Sequence, residues 1–186
     1  MNQTTFKKIG LTVLAIVSVA IWALLIWEHY HGGVPSHSFM ARKDMPSISN
    51  WWGALLLPLL TYFALYRLQK RLFLTNESNT VSPKQMQTVL LLFVAGLLYA
   101  GSMAYCFETD KSDINGILFP ALLLWALIFP LYRAEFFLGF VMGMTYTFGA
   151  ILPTFIAVVF VSLSFIVHKY VYPFVLKIFI GNKAKN

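Results

Sequence analysis

Five side chains of the types that bind metal ions lie close together in one polar segment: Glu28, His29, His31, His37 and Asp44. Imidazole and carboxylate groups are suitable ligands for zinc, copper, iron or nickel. Two or three histidines with one carboxylate, leaving one position open for water, would suit metal-assisted hydrolysis. The same groups could instead do acid–base chemistry on a lipid headgroup without a metal. We therefore predict either a metal site, with a transition metal such as zinc as its cofactor, or an acid–base site without a metal.

The spacing of these residues predicts which side chains lie on the same face of the preceding helix. Glu28 and His31 are three positions apart and share a face if the preceding helix continues that far, whereas His29 points elsewhere. Gly32 and Gly33 are expected to end this helix, because glycine accepts the left-handed cap conformation. The following "VPSH" turns the chain and presents His37.

Each candidate ligand also has a purely structural interpretation. His29 and His31 near a helix C-terminus interact favourably with the helix dipole. Glu28 could pair with Arg42 or Lys43. Asp44 favours a turn before Met45-Pro46, and a serine after it, Ser47 or Ser49, can cap the next helix. The segment contains no HExxH motif and no cysteine ligand, so both interpretations stay open.

A second acidic segment, "ETDKSDIN", is expected on the same side of the molecule. It contains Glu108, Asp110 and Asp113. We hold Asp110 in reserve as a further ligand, while Asp113 could simply cap a helix.

Composition identifies the class of protein that must position these groups. The chain has 186 residues, is 59% hydrophobic and only 11% charged, and has a mean hydropathy of +0.71. Soluble domains carry about 25% charged residues. Apolar runs of about 18 residues or more indicate membrane spans. We predict an all-α, polytopic membrane bundle, a single transmembrane domain over residues 1–186, and no nucleic-acid partner despite the net charge of +7.

The apolar runs predict six transmembrane helices. The last forty or so residues of the apolar sequence would hold two of them, with a corner at Gly149 and Pro153 because proline ends or kinks a helix. A single span plus a re-entrant segment is the alternative there. The predicted spans are about 9–27, 51–66, 89–107, 117–132, 136–152 and 154–172.

Basic residues predict the orientation of the bundle, because Lys and Arg concentrate in cytoplasmic segments. With both termini cytoplasmic, the outer segments contain only Arg42, Lys43 and Lys111 of the 14 basic residues. The loop 28–50 would then face outward from the inner (plasma) membrane of a bacterium. Residues 74–85 are expected to form an inner surface loop.

Polar residues inside the spans predict little chemistry, because none of the ionisable ones lies mid-span. Arg133 and Glu135 at the inner boundary are expected to pair with each other or with headgroups. Hydroxyls such as those of Ser162 and Ser164 are expected to bond to the preceding helical turn. His168 is expected to be an interfacial histidine.

Small residues and the one cysteine carry further expectations. Gly139 with Gly143, and Ala100 with Ala104, have the spacing that lets helices approach closely in lipid. Cys106 is the single cysteine, so an internal disulfide is excluded.

Three functions remain open from the sequence. The first is a His/carboxylate site at the outer membrane interface, acting on a lipid or envelope substrate, with Glu28, His31, His37 and Asp44 as its core. The second is a small permease or channel subunit. The third is a non-catalytic assembly partner. The expected partners are the lipid bilayer and either a second copy of the chain or another membrane protein.

Overall fold

The computed structural model describes residues 1–38, 47–74, 80–175 and 177. Within these residues the fold is a bundle of six α-helices, the number that the apolar runs predict, with one short β-ribbon before α2. The helices are α1 (Gln3–Tyr30), α2 (Gly53–Gln69), α3 (Pro83–Glu108), α4 (Ser112–Ile128), α5 (Ala134–Phe148) and α6 (Ile151–Ile166). The strands are β1 (Ser36–Ser38) and β2 (Ser47–Ser49), and π-helical turns extend α2 through Lys70–Leu74 and α6 through Val167–Val171.

Local capping chemistry sets the starts of α1 and α3. The Asn2 side chain accepts a hydrogen bond from the Thr5 amide at the start of α1. At the start of α3, Ser82 and Gln85 form a reciprocal capping box with Pro83 in the first turn. The predicted inner loop over residues 74–85 is therefore too long, because its last residues already belong to the cap and first turn of α3.

Gly149 ends α5 at the place where the sequence predicts a corner. The φ angle of Gly149 is +68°, and it separates α5 from α6, which confirms a corner at this position. Pro153 lies inside the first turn of α6, where its missing amide costs no helical hydrogen bond.

Helices α3 and α5 run in the same direction and make the most extensive contact in the bundle. A Cβ atom on Gly139 would overlap the carbonyl oxygen of Phe93, and one on Gly143 would lie 2.9 Å from the Cβ of Ala100. Gly96 faces the backbone of Phe136 in the same way. Because glycine has no side chain, the two backbones can come into direct contact, which confirms the predicted packing role of Gly139 and Gly143.

Helix α5 lies at the centre, packed against α2, α3 and α6. Its buried side chains include Phe140 and Val141, which are 1% and 0% exposed. Helix α1 packs mainly on α2 in the opposite direction, with Gly10 beside Leu65. Successive helices thus alternate in direction through the bundle.

In the part of the chain that the structure describes, three helical stretches are long and apolar enough to cross a membrane: Gln3–Tyr30, Pro83–Glu108 and Ile151–Val175. The apolar helical stretch Asp113–Ile128 is shorter. Large apolar side chains such as Leu11, Leu91 and Ile117 are between 68% and 69% exposed, so they suit contact with lipid. These features indicate a membrane protein.

The two ends of the bundle differ in charge. We call the end that contains the Phe6–Phe73 and Arg71–Glu135 contacts the basic end, and the opposite end, which contains the Thr147–Glu108 contact, the acidic end. Among the described residues the acidic end has one basic residue, Lys111, and the acids Glu28, Glu108, Asp110 and Asp113. The basic end has Lys7, Lys8, Arg67, Lys70, Arg71, Lys84, Arg133, Lys169 and Lys177.

Candidate functional site

The histidine segment begins on the last turn of α1, at the acidic end. His31 is the C-cap, and the Glu28 carbonyl oxygen accepts hydrogen bonds from the amides of His31 at 3.1 Å and Gly33 at 3.0 Å. Gly32 and Gly33 have φ angles of +117° and +93°, which confirms that glycines end this helix. The cap fixes where the side chains of Glu28, His29 and His31 leave the helix.

His31 is oriented by its own helix. Its ring stacks on Trp27 with the centroids 4.6 Å apart and the planes 18° apart, and its Nδ1 lies 2.8 Å from the Trp27 carbonyl oxygen. A carbonyl oxygen only accepts, so Nδ1 carries the hydrogen and donates it. In the neutral ring Nε2 then keeps its lone pair, which is the arrangement that a metal-binding histidine has.

His29 and Glu28 have different surroundings from His31. The ring of His29 lies 6.0 Å from that of Trp51 and 5.3 Å from that of Tyr30, between centroids. Glu28 is half-buried, and its Oε2 atom is buried without a hydrogen-bond partner among the described residues. The two histidine rings are therefore held against different neighbours.

The β-ribbon brings the later part of the segment back toward α2. His37 pairs with Ile48 across the antiparallel strands, flanked by the pairs Ser36–Ser49 and Ser38–Ser47. Ser49 accepts a hydrogen bond from the Trp51 amide and so caps the short helical turn Asn50–Trp52 that leads into α2. The N-cap of α2 itself, Trp52, has no side-chain cap, so the predicted serine cap lies one turn before this helix. Asp44 lies outside the described residues, as does the side chain of His37.

The metal prediction is therefore only partly covered by the structure. Within residues 1–38, 47–74, 80–175 and 177, no three His, Cys, Asp or Glu groups are close enough to hold one ion. The described members of the predicted set, Glu28, His29 and His31, thus do not form a site by themselves. A metal site in this segment needs His37 or Asp44, and it stays a prediction.

The second acidic segment lies at the same end. The Thr147 hydroxyl donates to Glu108 Oε1 at 2.6 Å, which ties the end of α3 to the end of α5. The φ angle of Asp110 is +57°, in the tight connection to α4, and Lys111 Nζ lies 5.6 Å from the centre of the Tyr105 ring. Glu108 thus has a structural partner, and Asp110 remains exposed.

An apolar cleft opens at the acidic end between α3, α4, α5 and α6. Its volume is about 200 Å³. The only polar side chain in its lining is that of Asn115, whose Oδ1 atom is buried with no hydrogen-bond partner among the described residues. No sequence pattern predicts this cleft, because its walls come from four helices and share no motif. The lining residues are Met103, Phe107, Asn115, Phe119, Met144, Phe148, Leu152, Pro153 and Ile156.

At the basic end, the expectation that Glu135 pairs with Arg133 or with lipid headgroups is wrong. Glu135 accepts two hydrogen bonds from Arg71, from Nη2 at 2.7 Å and from Nη1 at 3.2 Å. Its side chain is 1% exposed, and that of Arg71 is 38% exposed. The π-helical extension of α2 carries Arg71 alongside the first turn of α5, where no sequence pattern would place it.

Ser164 also differs from the expectation. Its hydroxyl donates to the Phe129 carbonyl oxygen at 3.0 Å and accepts from the Leu131 amide at 3.0 Å, instead of bonding to the preceding turn. Next to it, His168 places Nδ1 2.9 Å from the Ser164 carbonyl oxygen and Nε2 3.3 Å from that of Ile128. The end of α6 therefore holds the connection between α4 and α5 through polar contacts.

The chain matches no protein-family model, no curated protein and no solved structure with which it was compared.

Chemically, the acidic end combines three features. It has a histidine with one nitrogen fixed by the backbone and the other available, an exposed group of carboxylates, and an apolar cleft with one buried amide oxygen. The cleft favours an apolar ligand, and the polar groups favour a ligand whose other part reaches water.

Proposed function

We propose that this chain is a six-span protein of the bacterial inner membrane, with both termini cytoplasmic and the acidic end facing outward. The contrast in basic residues between the two ends of the bundle supports this orientation. The alternating direction of the six helices supports the span count.

The shortness of α5 is compatible with six spans. At 15 residues it is only about 22 Å long, less than the roughly 30 Å of a hydrocarbon core. However, α5 packs against α2, α3 and α6, and most of its residues are buried or half-buried, so its surface mainly meets protein. Non-helical backbone at membrane depth is tolerated where protein covers it.

Thiol labelling tests this orientation. Cys106 is buried, and its replacement by Ala gives a background without thiols. Ser36→Cys and Ser82→Cys then place exposed thiols at the acidic and basic ends. We expect a membrane-impermeant maleimide to label Cys at position 36 in intact cells and at position 82 only after lysis. The opposite result would overturn the orientation.

We further propose that the function of the protein is to bind a membrane lipid at its acidic end, with part of an acyl chain in the apolar cleft. The cleft is the single observation that supports this most directly, because its apolar walls provide almost no hydrogen-bonding groups for a polar solute. Methionine and phenylalanine side chains can adapt to a flexible chain.

The polar groups around the cleft indicate the kind of headgroup. Asn115 Oδ1 can only accept, so it favours a ligand with a hydroxyl, an amide N–H or an amine. Among the described residues at this end, the acids Glu108, Asp110 and Asp113 outnumber the one basic residue, Lys111, which favours an amine-bearing headgroup such as ethanolamine. The proposed histidine and carboxylate site would act on such a lipid, or on an envelope substrate reached from the same side.

Lipid retention on purification tests the cleft. Ile156→Trp would fill it, whereas Val159→Trp puts the same ring on the exposed face of α6, where Val159 is 52% exposed. We expect native mass spectrometry to find bound phosphatidylethanolamine on the parent protein and on Val159→Trp, and much less on Ile156→Trp. Equal retention by both folded variants would overturn the lipid site.

A further inference from the structure

A second groove lies at the basic end, between the first half of α1 and the last half of α2. Its volume is about 220 Å³. On each helix the lining residues recur at spacings of three and four, so they form one continuous face per helix. The lining residues are Phe6, Lys7, Gly10, Leu11, Leu14, Tyr62, Leu65, Tyr66 and Gln69.

The groove is polar at one end and apolar along its length. Because α1 and α2 run in opposite directions, Lys7 and Gln69 lie together at the end near water, and Leu14 and Tyr62 lie toward the membrane interior. Gly10 adds no side chain to the groove, and a Cβ there would lie in ordinary van der Waals contact with Leu65, 3.6 Å away. The shape suits a ligand with a polar head and a chain several carbons long.

The charge around the polar end is positive and has no nearby acid to neutralise it among the described residues. Lys7 and Lys8 on α1, and Arg67 and Lys70 at the end of α2, are all exposed. The one acid at the basic end in the part of the chain that the structure describes, Glu135, is buried and already paired with Arg71. This surface is therefore complementary to an anionic headgroup.

We propose that this groove binds one anionic phospholipid, with the phosphate at Lys7 and Gln69 and an acyl chain along Gly10, Leu11 and Leu14. Basic pockets between transmembrane helices on the cytoplasmic side are a known way to hold such headgroups. The site lies at the opposite end from the apolar cleft and takes a lipid of opposite headgroup preference. It is therefore separate from the function proposed above.

The experiment measures the apparent affinity of the full chain for phosphatidylglycerol. It compares the stability of the protein in vesicles of phosphatidylcholine alone with its stability in vesicles of phosphatidylcholine and phosphatidylglycerol in equal parts. Lys7→Gln removes the charge inside the groove, and Lys84→Gln removes an exposed charge at the same end but outside it. We expect the apparent affinity for phosphatidylglycerol to fall about fivefold in Lys7→Gln and to stay unchanged in Lys84→Gln.

Leu11→Trp provides a second variant that keeps every charge. Leu11 is 68% exposed, so a larger ring there should be tolerated by the fold while it fills the groove. We expect it to weaken phosphatidylglycerol binding as well. Inorganic phosphate should not compete, because it lacks the chain that the groove accommodates.

Two outcomes would overturn the proposal. An equal loss in Lys7→Gln and Lys84→Gln would mean that only the general positive potential attracts the lipid. Displacement by inorganic phosphate alone would mean a phosphate site rather than a lipid site. Ile156→Trp separates the two sites, because it should leave phosphatidylglycerol binding intact whether or not the cleft proposal holds.

Discussion

Arg71 and Glu135, 64 positions apart in the sequence, are joined by two hydrogen bonds at the basic end of the bundle. The carboxylate is almost completely buried, and the guanidinium reaches it from the surface. The planar fork of arginine matches the two carboxylate oxygens, so lysine is not equivalent here. The pair fixes the end of α2 against the first turn of the central helix α5.

We expect Arg71→Ala to lower the free energy of unfolding by about 2–3 kcal/mol, because it leaves a buried carboxylate without its partner. The partial exposure of Arg71 keeps this below the value for a fully buried pair. SDS-induced unfolding followed by circular dichroism measures the difference. Arg133→Ala is the matched control and should change stability by less than about 0.5 kcal/mol.

A double variant shows whether the loss of stability comes from the broken ion pair or from the buried charge that is left behind. If adding Glu135→Gln to Arg71→Ala recovers most of the lost stability, the loss came from the unpaired carboxylate charge. Equal destabilisation by Arg71→Ala and Arg133→Ala would contradict the pairing.

We expect Gly139→Ala to destabilise the protein by about 3 kcal/mol, because the new Cβ overlaps the backbone of α3 and neither helix can move without opening the contact. At Gly116 in α4, an added Cβ would have no neighbouring atom within 4 Å, so Gly116→Ala should instead stabilise by about 0.5–1 kcal/mol. Thermal unfolding in detergent compares the two. The same sign for both changes would be inconsistent with the close helix contact.

Ser164→Ala should cost about 1–3 kcal/mol, since it leaves the buried Leu131 amide without its acceptor. Ser162, two residues earlier on α6, is exposed, and its replacement by Ala should be neutral. Hydrogen exchange at Leu131, measured by mass spectrometry of the peptide that contains it, should accelerate in Ser164→Ala only. Unchanged exchange there would show that another group supports the connection between α4 and α5.

The histidine site is tested by metal content. If His31 and His37 bind a transition metal with a carboxylate, the purified protein should contain close to one equivalent of zinc or another transition metal. His31→Ala and His37→Ala should each remove most of it, because losing a ligand from a site of three or four weakens binding greatly. Lys84→Gln, far from this end, should keep the metal.

A structural role for the segment gives the opposite pattern. In that case replacing Gly32 and Gly33 by Ala should impair folding more than either histidine variant, because both glycines have positive φ angles that Ala rarely adopts. Metal below about a tenth of an equivalent, together with unaffected histidine variants, would reject the metal hypothesis.

The sequence predicts those parts of the fold that depend on neighbouring residues or on composition. Gly32, Gly33 and Gly149 mark helix ends because their backbone conformations are local properties. The partners of Glu135 and Ser164 could not be predicted, because they depend on which helices meet in three dimensions. The apolar cleft could not be predicted for the same reason, since the sequence of each helix that lines it is an apolar run without a motif that marks a binding site.

The shared direction of α3 and α5 has a consequence for biogenesis. A short turn cannot connect two adjacent helices that run in the same direction, so α4 must return the chain to the basic end before α5 can pack against α3. During synthesis, the surface of α3 around Gly96 and Ala100 therefore has no partner until α4 and α5 have also been made.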